Sequence, residues 1–213
     1  MNTETLIDTL AAKVVPVRRW ALQQRLALGI AAGSLIAVLL VAFGLGVRPD
    51  LDVAMHGFSF WMKWTYTASL GIGAIAMVAQ LARPEAASLK RFWPVAIPFV
   101  LLAGISAGEM ANVSPGDWLA MWLGQTWRTC PSLVLMLAAP IFVGLLWAFR
   151  RLAPTRLRAA GAAAGLAAGA WAATFYCLHC PEVSAIFVLT WYTLGIALAT
   201  AAGALLGPRL LRW

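Results

Sequence analysis

Six long apolar stretches alternate with short polar segments along the chain, covering about residues 26–47, 58–82, 92–108, 131–149, 157–176 and 183–206. Each falls near the ~20 residues a helix needs to cross a hydrocarbon core. The pattern predicts an all-α integral membrane protein, a bundle of six transmembrane helices over residues 26–213. The third stretch opens with Pro94 and Pro98, and the second carries one charge, Lys63, near its start. The fifth is rich in Ala and Gly, which suits close packing inside a bundle. Its Gly161 and Gly165 are read as an internal packing seam.

Residues 1–25 have a different period. Leu6, Ile7, Leu10, Ala11 and Val14 recur at helical spacing, with Glu4, Asp8 and Lys13 between them. This predicts a short amphipathic helix of about three turns, ended by Pro16 and followed by the basic pair Arg18–Arg19. Such a helix is marginal alone in water and gains stability when its apolar face docks on a partner or on a bilayer surface. The acidic residues in its first turns favour a protein partner.

Composition sharpens the picture. Hydrophobic residues make up 62% of the 213 and charged residues 11%, and the mean hydropathy is +0.82. A water-soluble domain runs nearer about 45–50% and about 25%. Three cysteines exclude a disulfide-dense secreted scaffold. The net charge of +8 is segregated. Lys13, Arg18, Arg19, Arg25, Arg83, Lys90, Arg91, Arg150, Arg151, Arg156, Arg158, Arg209 and Arg212 fall on one side of the predicted spans, and Arg48 and Arg128 on the other. The positive-inside rule makes the first side, and both termini, cytoplasmic.

That orientation puts every cysteine and both histidines at the outer face: His56 in the first loop, Cys130 at the end of the second, and Cys177, His179 and Cys180 around the third. A free cysteine is most often a small buried hydrophobe. Cys130 and Cys180 each precede a proline at a span boundary, however, and an outer-face thiol pair can close a disulfide or hold a soft metal as thiolates. Cys177-Leu-His-Cys180 also spells C-x-x-C, and three thiols leave the pairing open. His179 stands beside Cys180 as a candidate base or ligand. Lys63 is expected to snorkel to the outer interface or to pair with Glu109 or Glu182. The Trp-rich stretch at 109–130 reads as an interfacial segment. No HExxH, P-loop or paired intramembrane carboxylates are present, which weakens hydrolysis and transport. The competing reading is a membrane thiol oxidoreductase cycling the C-x-x-C.

The order of LIDTLAAKVVPVRR, GVRPDL, FWMKWTY, the TCP opening the fourth stretch and HCPEVSAIFVLTWYTLG resembles the NrsF family over nearly the whole chain. The resemblance implies a six-span inner-membrane anti-sigma factor that holds an extracytoplasmic-function sigma factor of the SigF type and releases it under heavy-metal stress such as chromate or cadmium. It implies two response cysteines, at Cys130 and Cys180. It also implies a sigma-binding segment at residues 3–19, for which Leu6, Ile7, Leu10, Val14, Arg18 and Arg19 are the contact candidates. Cys177 has no counterpart in the family pattern. The implied partners are the sigma factor and membrane lipid, with no direct nucleic-acid binding, no resident cofactor beyond a transient metal ion, and no enzymatic activity.

Overall fold

A computed structural model describes residues 3–12, 20–82, 89–150, 152 and 154–212, with 89–91 described for the backbone alone. Among the described residues all regular structure is helical. Helix α1 is Thr3–Ala12, α2 Ala21–Leu45, α3 Leu51–Met55, α4 Phe58–Leu81, α5 Ile97–Ala111, α6 Trp118–Leu123, α7 Cys130–Phe149, α8 Leu157–Tyr176 and α9 Ala185–Leu210. A 3₁₀ stretch, Leu89–Ala96, leads into α5. The last turn of α2 (Leu40–Leu45) and an early turn of α9 (Val188–Tyr192) are π-helical.

Helix α8 is the hub. It packs against α9, α4 and α7, and α2 packs on α7. Thirteen of its twenty residues are buried, nearly all Ala or Gly. Small residues let the backbones meet: a methyl group on Gly161 would strike the Gly203 carbonyl, and one on Gly165 the Ala199 carbonyl. The glycine pair of the fifth stretch is therefore an internal seam. Gly29 of α2 and Gly144 of α7 meet in the same way. Dispersion between closely packed backbones, with no side chains to order, holds these crossings.

The six-span expectation needs correction. Six long helices are present, but among the described residues only four, Ala21–Leu45, Phe92–Ala111, Cys130–Phe149 and Ala185–Leu210, are long and apolar enough to cross a membrane. The two that fall short are α4 and α8. Helix α4 carries Lys63, Thr65, Thr67 and Ser69, and α8 is Ala- and Gly-rich. Helix α8 lies in the interior, where it meets protein on most sides, so its hydropathy is not set by contact with lipid; α4 packs one face on α8 and owes its lower hydropathy to those polar residues. Both have the length: 24 and 20 residues rise about 36 and 30 Å.

The long helices alternate in direction. The ends of α2, α5 and α8 therefore share one end of the bundle with the starts of α4, α7 and α9, and every cysteine and histidine gathers there.

Candidate functional site

Cys130 is the first residue of α7, followed by Pro131 in the first turn, where a backbone N–H has no intrahelical acceptor and its loss costs nothing. Cys177 directly follows α8, and Cys180 closes the turn beyond it, its N–H bonded to the Tyr176 carbonyl at 3.0 Å. All three are free thiols with no exposed surface. They lie within electrostatic range of one another. The Tyr176 hydroxyl lies against the Cys130 and Cys180 thiols, and that of Tyr192 against Cys177 and Cys180. Both tyrosines are fully buried, and their hydroxyls face the thiols, which are weak hydrogen-bond partners. Cys177 is the most self-contained of the three, its thiol donating to the Ala173 carbonyl at 3.3 Å.

The donor set suits a thiophilic ion. Among the described residues, however, no three His, Cys, Asp or Glu side chains are arranged to hold one. Zero exposure also means that the thiols must shift before any solute reaches them.

What would shift is the non-helical segment 180–184, and side chains from all around it hold it in place. Arg48, just past α2, donates to the Cys180 carbonyl at 3.3 Å, and its main-chain N–H to the Leu178 carbonyl at 3.0 Å. Arg48 is itself oriented by a two-pronged contact with Asp50 at 2.6 and 2.7 Å. That hydrogen bond raises the guanidinium pKa and holds the exposed Asp50 carboxyl below the usual carboxylate range. Lys63 of α4, fully buried, donates to the carbonyls of Cys180 at 3.2 Å and Glu182 at 2.6 Å. It neither snorkels nor pairs with the carboxylates of Glu109 or Glu182, as the sequence suggested; its partners are main-chain oxygens.

The two glutamates serve other amides. One Glu182 carboxylate oxygen accepts from the N–H groups of Gln125 and Thr126 at 2.7 and 2.9 Å and from the Thr126 hydroxyl at 3.0 Å. This dock needs Gly124: its φ is +54°, and a Cβ there would strike the carboxylate. Glu109 of α5 accepts from the Ala185 N–H at 2.7 Å, at the start of α9, and from the Ser184 hydroxyl at 3.4 Å. The Trp-rich stretch is pinned to α9 by stacked Trp122, Trp191 and Trp127 and by the Trp191 indole donating to the Trp122 carbonyl at 2.7 Å.

His179 is held by another partner: its Nδ1 lies 2.8 Å from the Gly46 carbonyl, which only accepts, so Nδ1 carries a proton. His56 is exposed, its Nδ1 2.8 Å from the Asp52 carbonyl of its own loop.

Sequence reasoning found the three thiols and His179. It assigned nothing to Tyr176, Tyr192, Thr126 or Gly124, and offered Glu109 only as a charge partner for Lys63. The available signal was position: each lies within a few residues of a cysteine or of the segment after Cys180, apart from Glu109 and Tyr192.

At the other end of the chain, α1 presents Leu6, Ile7 and Leu10 on one face, 41%, 59% and 60% exposed, and no residue of α1 is buried. Glu4 and Asp8 fall on the opposite face at helical spacing. Val14, Arg18 and Arg19 lie outside the described residues.

Comparison with known proteins gives consistent results. The NrsF family, described as "Negative regulator of sigma F", matches residues 10–213. The chain is 42% identical over 216 aligned residues to the "Probable anti-sigma-F factor NrsF" of Azospira oryzae. It is 39% identical over 215 to the "Anti-sigma-F factor NrsF" of Caulobacter vibrioides. Each alignment covers 100% of both chains. No solved structure matches.

Proposed function

Because the chain belongs to the NrsF family of negative regulators of sigma F, we propose that it is an anti-sigma factor that holds an extracytoplasmic-function sigma factor at the bacterial inner membrane and releases it when its thiols meet a heavy metal or an oxidant. The full-length match to anti-sigma-F factors carries this reading. The reading is regulatory, not enzymatic.

In this account all six long helices cross the bilayer, α8 as a shielded interior span, with both termini cytoplasmic. The charge segregation supports that orientation. The apolar face of α1, exposed among the described residues, is the sigma-binding surface through Leu6, Ile7 and Leu10, with Val14, Arg18 and Arg19 extending it. The thiols at the opposite end are the sensor. A thiophilic ion binds Cys130 and Cys180 as their protons leave, or an oxidant takes two electrons and two protons from the pair to leave a disulfide. Either event draws the start of α7 toward the end of α8. The Tyr176 and Tyr192 hydroxyls, which face weak thiol partners, support a second arrangement of this pocket, because they have stronger hydrogen bonds to gain. The signal works only through a difference in affinity between two packings of the bundle.

The test is co-purification. Full-length protein solubilised from its host membrane should bring down a sigma factor, and Leu6→Asp/Leu10→Asp should lose it at unchanged abundance. Absence of any sigma factor from the wild-type preparation would contradict the reading.

A further inference from the structure

We propose that Glu109 couples the thiol-bearing segment to α5, and that α5 is the element of the bundle that moves when Cys180 shifts. The proposal rests on the sensor reading above and adds its route across the molecule.

The side chains that hold segment 180–184 differ in what stands behind them. Arg48 belongs to the end of α2, which packs on α7; Lys63 belongs to α4, which packs on α8; Thr126 leads into α7, which packs on α8. These are fixed anchors. Glu109 belongs to α5, which touches chiefly the start of α9 and is the least buried of the four apolar helices. Val100 and Leu101 are each 63% exposed. A Cβ on Gly104 or Gly108 would meet nothing within 4 Å, whereas Gly29 and Gly33 of α2 and the glycines of α7, α8 and α9 lie against neighbouring backbone.

There is room for movement on both flanks of α5. A cleft of about 510 Å³ separates it from α4, lined by Trp61, Thr65 and Ser69 on one wall and Pro98, Leu101 and Ile105 on the other. A second, of about 530 Å³, separates Val95, Ala96 and Phe99 from Leu166 of α8 and from Ile196 and Thr200 of α9. The far end of α5 is a change from 3₁₀ to α geometry, with Pro94 in the 3₁₀ stretch and Pro98 in the first turn of the α-helix, and this junction is the natural pivot.

The linkage itself is strong and directional. A carboxylate accepting the first N–H of a helix forms a charge-assisted bond aligned with the helix dipole. A shift of segment 180–184 therefore carries the Glu109 end of α5 with it, and the helix swings about its proline end within the two clefts. The sequence just before α5 carries Lys90 and Arg91, on the side of the bundle from which α2 begins. The displacement is largest at the Glu109 end and falls toward this pivot, so what reaches the face where the partner is proposed to dock is a change in the tilt of α5.

The test needs neither metal nor sigma factor. p-Benzoylphenylalanine replaces Leu101 in the full-length protein in native membranes, and the photocross-link to α4 is measured by peptide mapping. Arg48→Ala frees the segment from α2. With Glu109 in place it should change the cross-link yield at least twofold. In a Glu109→Ala background the same change should shrink to less than a fifth, and in Glu109→Gln, which keeps the acceptor oxygen, most of it should survive. Equal changes in all three backgrounds, or none in any, would overturn the coupling. In cells, Glu109→Ala should keep repression and lose at least fivefold of cadmium-dependent reporter induction; unaltered induction would also overturn it. A protein that binds no sigma factor sinks the functional reading but leaves the cross-link result to stand or fall by itself.

Discussion

The Lys63 ammonium donates to the main-chain oxygen of Glu182 at 2.6 Å, while the Glu182 carboxylate turns away to accept from the amides of Gln125 and Thr126. One residue is thus held by α4 through its backbone and by the approach to α7 through its side chain. The segment that follows Cys180 is clamped between the two helices that flank the thiols.

Lys63→Met removes this clamp. The Cys180 carbonyl keeps Arg48, but the part-buried Glu182 carbonyl loses its donor, at a cost toward the low end of about 1–3 kcal/mol. Relief from burying an ammonium offsets part of it. We expect a net fall in the midpoint of thermal unfolding in detergent, with faster alkylation of Cys180. A midpoint that rises would mean that the buried charge costs more than its two bonds return.

Arg48 and Asp50 give a pH signature. The Asp50 carboxyl is held below its usual range by the Arg48 hydrogen bond, so its contribution is present above the ordinary aspartate range and is lost as pH falls through the lowered value. Wild type and Asp50→Asn should differ in unfolding midpoint near neutral pH, and the difference should close only in acid below that range. A gap that closes already between pH ~5 and ~7, above the aspartate value, would assign it to another group.

Much of the architecture was legible in the sequence. The helix positions follow from the apolar stretches, and the internal seam at Gly161 and Gly165 follows from small residues in a weakly apolar stretch. Helices α4 and α8 are less apolar than the other long helices, α4 because of Lys63 and its Thr and Ser residues and α8 because an interior helix is rich in Ala and Gly. The partners of Lys63, Glu109 and Glu182 were not legible for a different reason. They are main-chain carbonyls and amides, present at every position, so no complementary residue marks them. The tyrosine hydroxyls over the thiols were hidden because Tyr192 sits in an aromatic run that reads equally well as interface belt.

Helix α1 offers a clean separation of binding from stability. Its apolar face touches nothing else in the described chain, so Leu6→Asp/Leu10→Asp should leave the unfolding midpoint unchanged. Burying two carboxylates in a partner's apolar groove costs several kcal/mol unless they are paired, enough for constitutive expression of the sigma-dependent genes. If repression survives, the contact lies in the basic segments instead.

Gly124→Ala tests the dock of Glu182. A side chain at φ +54° is strained, and its Cβ collides with the carboxylate. The expected loss is about 1 kcal/mol or more, seen as a lower unfolding midpoint. An unchanged midpoint would show that Glu182 moves aside freely.

The central claim is that thiols at one end of the bundle control a sigma factor held at the other. The direct measurement is the fraction of sigma factor retained by immobilised full-length protein, with and without cadmium chloride, for wild type and for Cys130→Ser, Cys177→Ser and Cys180→Ser. The account expects cadmium to release the sigma factor from wild type and from Cys177→Ser, and Cys130→Ser and Cys180→Ser each to retain it at the undosed level. Release that persists in Cys130→Ser or Cys180→Ser, or that fails only in Cys177→Ser, would contradict it.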